Sequence, residues 1–200
     1  MTWESLLAFN AVLLAAILSP GAALLFFIRT TVASGRAAGL ATGLGLATAA
    51  AAWTLAALLG LESLFALFPW TYTILKIGGA CYLLWIAYLT WRDARAPLPD
   101  APVSQGRTIL SGFVVNIGNP KSMLFAAAVI VVVFPHGLQA REIALITLNH
   151  WVLEIVCYAV FAVLLSASPA RRGYLGLKPL FDRLAATLLG ALGLRLLIER

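Results

Sequence analysis

Residues 111–122 read SGFVVNIGNPKS, and the apolar run MLFAAAVIVVVF follows directly at 123–134. Asn116, Asn119, Pro120 and Lys121 therefore interrupt a long hydrophobic stretch. Proline removes a backbone hydrogen bond and clashes with the preceding helical turn, so it predicts a broken helix. A lysine within an apolar segment is costly, and this combination predicts a functional site at the break.

The composition sets the class of protein around this stretch. Of 200 residues, 62% are hydrophobic and only 11% are charged, whereas a soluble domain carries roughly 25% charged residues. We therefore expect an all-α integral membrane protein. The net charge of +6 does not indicate a nucleic-acid partner, because the basic residues fall in short loops between apolar runs.

Apolar runs of about 20 residues, long enough to cross a hydrocarbon core of ~30 Å, recur along the chain. The first run has no Lys or Arg before it and is longer than the core of a signal peptide, so we expect a retained span. The six predicted spans are residues 5–28, 38–60, 71–90, 109–134, 143–166 and 180–198.

Basic residues concentrate in the loops that follow the first, third and fifth predicted spans. The positive-inside rule places these loops in the cytoplasm, including the Pro-rich loop 91–107, and places both termini outside. The basic residues concerned are Arg29, Arg36, Arg92, Arg95, Arg107, Arg171, Arg172, Lys178 and Arg183.

The two halves of the chain, about 1–95 and 105–200, share a pattern. Each has three predicted spans, and its first span is interrupted by a proline, Pro20 or Pro120. Because three is odd, such halves must face opposite ways across the bilayer. Inverted repeats with broken helices in matching positions are typical of transporters that hold substrate near the midplane, so the pattern predicts one transporter domain.

Several motifs resemble one family. They are Ser19-Pro20-Gly21, GRAAG at 35–39, LKIGGACYLLW at 75–85, and Gly112, Asn116 and Asn119-Pro120-Lys121 in the fourth predicted span. Together they resemble the LysE/RhtB family of bacterial amino acid exporters. Ala22 departs from the family pattern, which usually has a second proline there. The resemblance implies amino acid export across the bacterial inner membrane, driven by the proton-motive force.

The fourth-span break offers groups that suit an amino acid. We expect Lys121 and the amides after Pro120 to bind the carboxylate, and Asn116 and Asn119 to bind the amino or side-chain groups. The other reading is that both asparagines only cap the broken helix. Ser19, Pro20 and Gly21 would supply the matching break of the first half.

Glu154 is a candidate for proton coupling. His150, Glu154 and Tyr158 share one face of the fifth predicted helix, and Lys121 is the expected partner of the carboxylate. The pair could equally be structural. Lys76 in the third predicted span is a further coupling candidate, although it could also reach the outer interface.

Other classes of protein have weaker support. The two cysteines, Cys81 and Cys157, form no metal-binding motif with the histidines, so we expect no metal or other cofactor. An enzyme is not expected, because Ser19 and Ser111 have no evident base. A metal-ion exporter remains the alternative, with His150 and Glu154 as its ligands. The sequence is compatible with a homo-oligomer.

Overall fold

The computed structural model describes residues 1–19, 21–67, 70–96, 108–134, 137–165 and 168–198. These residues form helices and no strands, which confirms the predicted all-α class. The helices are α1 (Trp3–Leu18), α2 (Ala22–Leu67), α3 (Trp70–Arg92), α4 (Thr108–Ile117), α5 (Pro120–Val133), α6 (Ala140–Leu165) and α7 (Ser168–Ile198).

Helix α2 folds back on itself at Gly35. Gly35 has φ 85° and ψ 176°, a backbone conformation that residues with a Cβ rarely adopt. Gly39 then contacts Thr31, and a Cβ placed on Gly43 would lie 3.3 Å from the ring of Phe27. These pairs are too far apart in the chain to meet along a straight helix. The boundary between the first two predicted spans therefore lies at this turn.

Helices α4 and α5 are separated at Gly118 and Asn119, and their axes differ by 68°. Asn119 has extended backbone angles of φ −87° and ψ 108°, and Pro120 begins α5. Proline suits the first position of a helix, because the amide that it lacks would have no partner there.

Length and hydropathy identify two stretches in the described residues that could cross a membrane, Ala23–Gly60 and Ala140–Leu165. The bent pair of α4 and α5 makes a third if it counts as one span. The first stretch contains the reversal at Gly35, so it comprises two segments. A polytopic membrane protein follows from these helices.

Helix α6 is apolar outside and polar inside. Its outward face exposes Leu145, Leu148, Val152, Val156, Val160 and Val163. Its inward face buries His150, Glu154 and Tyr158 at helical spacing. A lipid-facing exterior with a polar interior is the arrangement expected where hydrocarbon surrounds the helix bundle.

The backbones of α2 and α4 touch where they cross. A Cβ placed on Gly112 would collide with the carbonyl of Thr42, and one on Gly45 would lie 2.8 Å from the amide nitrogen of Phe113. Gly43 likewise packs closely against Tyr158 of α6. Glycines therefore lie where α2 comes closest to α4 and α6.

Helix α7 begins earlier than the predicted sixth span. It starts at Ser168 and continues through Pro179, so Lys178 lies in a helix and not in the predicted loop. The charged residues near its start concealed this extension, because a hydropathy criterion ends a span at charges. Asp182, which is buried, consequently lies well inside the helix.

Gly112→Ala should destabilise the protein because the added methyl group collides with the backbone of α2. Overpacking a close contact costs about 1–3 kcal/mol, so the midpoint of thermal unfolding in detergent should fall by several degrees. Gly60→Ala is the matched control, since its Cβ would meet nothing within 4 Å. Equal unfolding temperatures for the two variants would contradict the crossing.

Candidate functional site

A cavity lies where the two helix interruptions and the polar face of α6 meet. Its volume is about 60 Å³, which is room for a few water molecules in this conformation. Its polar lining consists of Ser19, Asn116, Asn119, Lys121, Ser122, His150, Glu154 and Tyr158, and Gly21 also lines it. Its apolar lining includes Leu13, Ile17, Leu24 and Phe125.

Asn116 ties the break between α4 and α5 to α2. Its side-chain nitrogen donates to the carbonyl of Leu46 at 2.8 Å. Its side-chain oxygen accepts from Ser122 Oγ at 2.6 Å and from Asn119 Nδ2 at 3.3 Å. The side chain is 2% exposed, so these bonds fix its orientation.

Asn119 caps the start of α5. Its side-chain oxygen accepts from the amide of Lys121 at 3.0 Å, and its backbone carbonyl accepts from the amides of Ser122 and Met123. The amides after Pro120, which we expected to bind a carboxylate, therefore already have partners. The carbonyl of Asn116, whose usual helical partner would be the amide that Pro120 lacks, accepts from the amide of Asn119 at 3.1 Å.

Lys121 reaches from the second break to the first. Its Nζ lies 3.4 Å from the carbonyl oxygen of Ser19. A Cβ placed on Gly21 would lie 3.4 Å from Lys121 Cδ and Nζ, so the lysine side chain runs along the glycine. The cation is half-buried and lines the cavity.

Glu154 pairs with a histidine and not with Lys121. Its Oε1 lies 3.3 Å from His150 Nε2, and His150 Nδ1 lies 2.7 Å from Thr54 Oγ1. Glu154 is 6% exposed, and its Oε2 has no hydrogen-bond partner among the described residues. The expected ion pair between Lys121 and Glu154 is replaced by a Thr54–His150–Glu154 chain, because the lysine is turned towards Ser19.

A second buried carboxylate lies beside the first break. Asp182 accepts from Ser19 Oγ at 3.1 Å and from Lys178 Nζ at 2.9 Å. Asp182 was not among the predicted site residues, because Lys178 was expected to lie in a loop. The spacing of Lys178 and Asp182, four residues apart, would have been the signal once both are placed in one helix.

Comparison with known proteins gives the family. The family model described as LysE type translocator matches residues 14–200. The chain belongs to the LysE-type translocator family. Membership agrees with the resemblance seen in the sequence motifs, and it makes this chain a multi-pass membrane protein of a transporter family. No solved structure matches the chain.

Curated relatives of this LysE-type translocator include bacterial efflux proteins. A threonine efflux protein of Salmonella typhimurium is 31% identical, with 92% of this chain and 93% of the relative aligned. The threonine efflux protein of Escherichia coli K12 is 30% identical over the same shares. A homoserine/homoserine lactone efflux protein of Salmonella typhimurium is 30% identical over 74% of this chain and 73% of the relative.

The side chains of three predicted site residues of the translocator lie outside the described part of the structure. Pro20 lies outside the described residues. Lys76 lies in α3, but its side chain is outside the described part. Pro120 contributes its backbone at the start of α5. Within the described ranges, no three His, Cys, Asp or Glu side chains group closely enough to hold a metal ion.

Asn119→Ala should destabilise the translocator, because the side-chain acceptor for the amide of Lys121 disappears. Loss of an N-cap costs about 1 kcal/mol, and the unfolding midpoint in detergent should fall accordingly. Asn119→Ser keeps an acceptor at the same position and should retain most of the stability. The capping role is wrong if serine and alanine destabilise the translocator equally.

Proposed function

We propose that this protein is a secondary transporter that exports amino acids, or closely related small metabolites, from the bacterial cytoplasm. The observation that carries the proposal is a cavity between two helix interruptions that is lined by a lysine and by a carboxylate, one oxygen of which has no hydrogen-bond partner in the described part of the chain. Lys121 would bind the substrate carboxylate, and Glu154 Oε2 would bind the ammonium group. A zwitterion is charge-complementary to that pair.

The hydrogen bonds of the two asparagines support a role different from the one expected from the sequence. Asn116 and Asn119 already use their side chains within the break, so we assign them to shaping the site and positioning Lys121. Ser19 and Gly21 hold the other wall, with Pro20 between them in the chain. If either asparagine bound the substrate instead, its buried side chain would lack a partner whenever the substrate departed, and this would cost free energy.

The charge balance favours substrates with neutral side chains. A third charge, on a basic or acidic side chain, would face the apolar lining of Leu24 and Phe125 without a partner. The relatives named for threonine and for homoserine efflux support the same choice. We therefore propose small neutral amino acids as the substrate class.

Glu154 also gives a route to proton coupling. A carboxylate that binds either the substrate ammonium or a proton, but not both, couples export of one to import of the other. His150 and Thr54 extend the chain of titratable and hydroxyl groups away from Glu154. We propose proton antiport on this basis, with Lys76 as a second coupling candidate.

We further propose the topology of two inverted repeats, 1–95 and 105–200, in one transmembrane domain. Contacts at opposite ends of the helices support it. The amino terminus contacts Glu142 at the start of α6, and Lys178 contacts the carbonyls of Asp93 and Ala94 at the end of α3. Each contact joins segments that the distribution of basic residues places on one side, the first outside and the second in the cytoplasm.

Lys121→Ala should abolish export because the substrate carboxylate loses its cation. Loss of a hydrogen bond to a charged group weakens binding by about tenfold or more. We expect everted vesicles containing this variant to lose accumulation of labelled threonine. Arg141→Ala, which removes an exposed cation outside the cavity, is the control. Unchanged threonine transport by Lys121→Ala would refute the site, and metal-dependent transport instead would favour the metal-exporter alternative.

Glu154→Gln should separate uphill export from exchange, because glutamine can still accept from an ammonium group but cannot carry a proton. We expect vesicles with an imposed pH gradient to lose accumulation while counterflow of labelled threonine persists. Glu4→Gln, an exposed carboxylate at the start of α1, should keep both activities. Uphill accumulation at the parental level by Glu154→Gln would rule out this coupling residue.

A further inference from the structure

Three segments of the chain meet at the buried ion pair of Lys178 and Asp182. The Asp182 network consists of Ser19 after α1, Lys178 and Asp182 in α7, and the backbone carbonyls of Asp93 and Ala94 at the end of α3. Lys178 Nζ lies 3.1 Å from the carbonyl of Asp93, 3.0 Å from that of Ala94 and 2.9 Å from Asp182 Oδ2. The three protons of the ammonium group therefore match three acceptors.

Ser19 belongs to both the Asp182 network and the cavity. Its hydroxyl donates to Asp182 Oδ1 at 3.1 Å, while its carbonyl oxygen lies 3.4 Å from Lys121 Nζ. Ser19 is 4% exposed and Asp182 is also 4% exposed. The network thus lies between the cavity and the end of α3. Ser19 connects it to Lys121, the cation that we propose binds the substrate carboxylate.

Polar contacts hold the Asp182 network together at a position where apolar side chains could be buried at a lower cost in free energy. A buried ion pair must recover the desolvation of both charges, so an apolar pair of the same volume is often at least as stable. A closure made of polar groups opens more easily. When the helices part, water can hydrate the polar groups, whereas apolar groups exposed to water would favour renewed contact.

We infer that Asp182 and Lys178 form a gate that closes the transport cavity on the side where α3 ends, with Ser19 as its movable contact. This gate rests on the proposed function and describes how the same site is regulated. A substrate carboxylate that binds Lys121 draws its ammonium group away from the Ser19 carbonyl. Ser19 then loses its contact with Lys121 of α5 and keeps only the hydroxyl bond to Asp182 of α7, so occupancy favours opening. A ligand shifts such an equilibrium only through this differential contact.

The gate can be tested by measuring accessibility, which does not depend on transport. A single cysteine is placed in the cavity wall as Ala50→Cys, with Cys81→Ala and Cys157→Ala removing the native thiols. A membrane-impermeant maleimide is added to everted vesicles, whose outer face is the cytoplasmic one, and to right-side-out vesicles. Ser19→Ala and Lys178→Met should each raise the ratio of labelling rates in favour of everted vesicles by about tenfold, since each removes a closing contact.

Arg95→Gln is the matched control at the same end of the protein. Like Lys178→Met it removes one positive charge, but Arg95 is exposed and lies outside the Asp182 network. Labelling should therefore stay at the parental ratio.

Two outcomes would overturn the gate. The first is a parental labelling ratio in both Ser19→Ala and Lys178→Met, whether or not their unfolding temperatures fall, because the network would then only stabilise the fold. The second is a shift towards right-side-out labelling, which would mean that the network closes the other side.

Addition of threonine should raise everted labelling in the parent but not in Lys121→Ala. If Ser19→Ala and Lys178→Met raise everted labelling but threonine has no effect on the parent, the gate itself is supported. Lys121 is then not its trigger, and the proposed substrate site is refuted.

Discussion

The carboxamide of Asn116 is the interaction on which the site depends. Hydrocarbon offers no partner to a backbone that leaves the helical pattern, so a broken helix must be satisfied from within the protein. Asn116 does this with three contacts, to the Leu46 carbonyl, to Ser122 and to Asn119. The break therefore has one geometry, and this geometry directs the side chain of Lys121 towards Ser19. A more mobile break could not hold a single lysine against the opposite wall.

Much of this arrangement could be read from the sequence. Proline, two asparagines and a lysine in an apolar run identified the position of the break, because each of these residues is costly there and together they satisfy one another. The polar stripe on α6 was equally readable, since His150, Glu154 and Tyr158 recur at helical spacing. The all-α class followed from the scarcity of charge.

The sequence did not disclose which polar groups pair. Lys121 and Glu154 have opposite charges and both enter the cavity, yet the lysine lies at a backbone carbonyl and the glutamate at His150. Choosing between such partners needs the angle between α4 and α5, which no pattern of residues specifies. Asp182 was missed for a related reason. Charges near the start of α7 resemble a loop until the helix is seen to bury one of them against Ser19.

The turn at Gly35 has a mechanical consequence. With one residue between them, the segments of α2 before and after Gly35 cannot slide past each other, and the contacts of Gly39 with Thr31 and of Gly43 with Phe27 hold them together. They form a rigid body, one end of which carries Gly21 and Ala23 at the cavity. Any rearrangement that displaces that wall must therefore swing the whole hairpin, including Ala50 on its far arm.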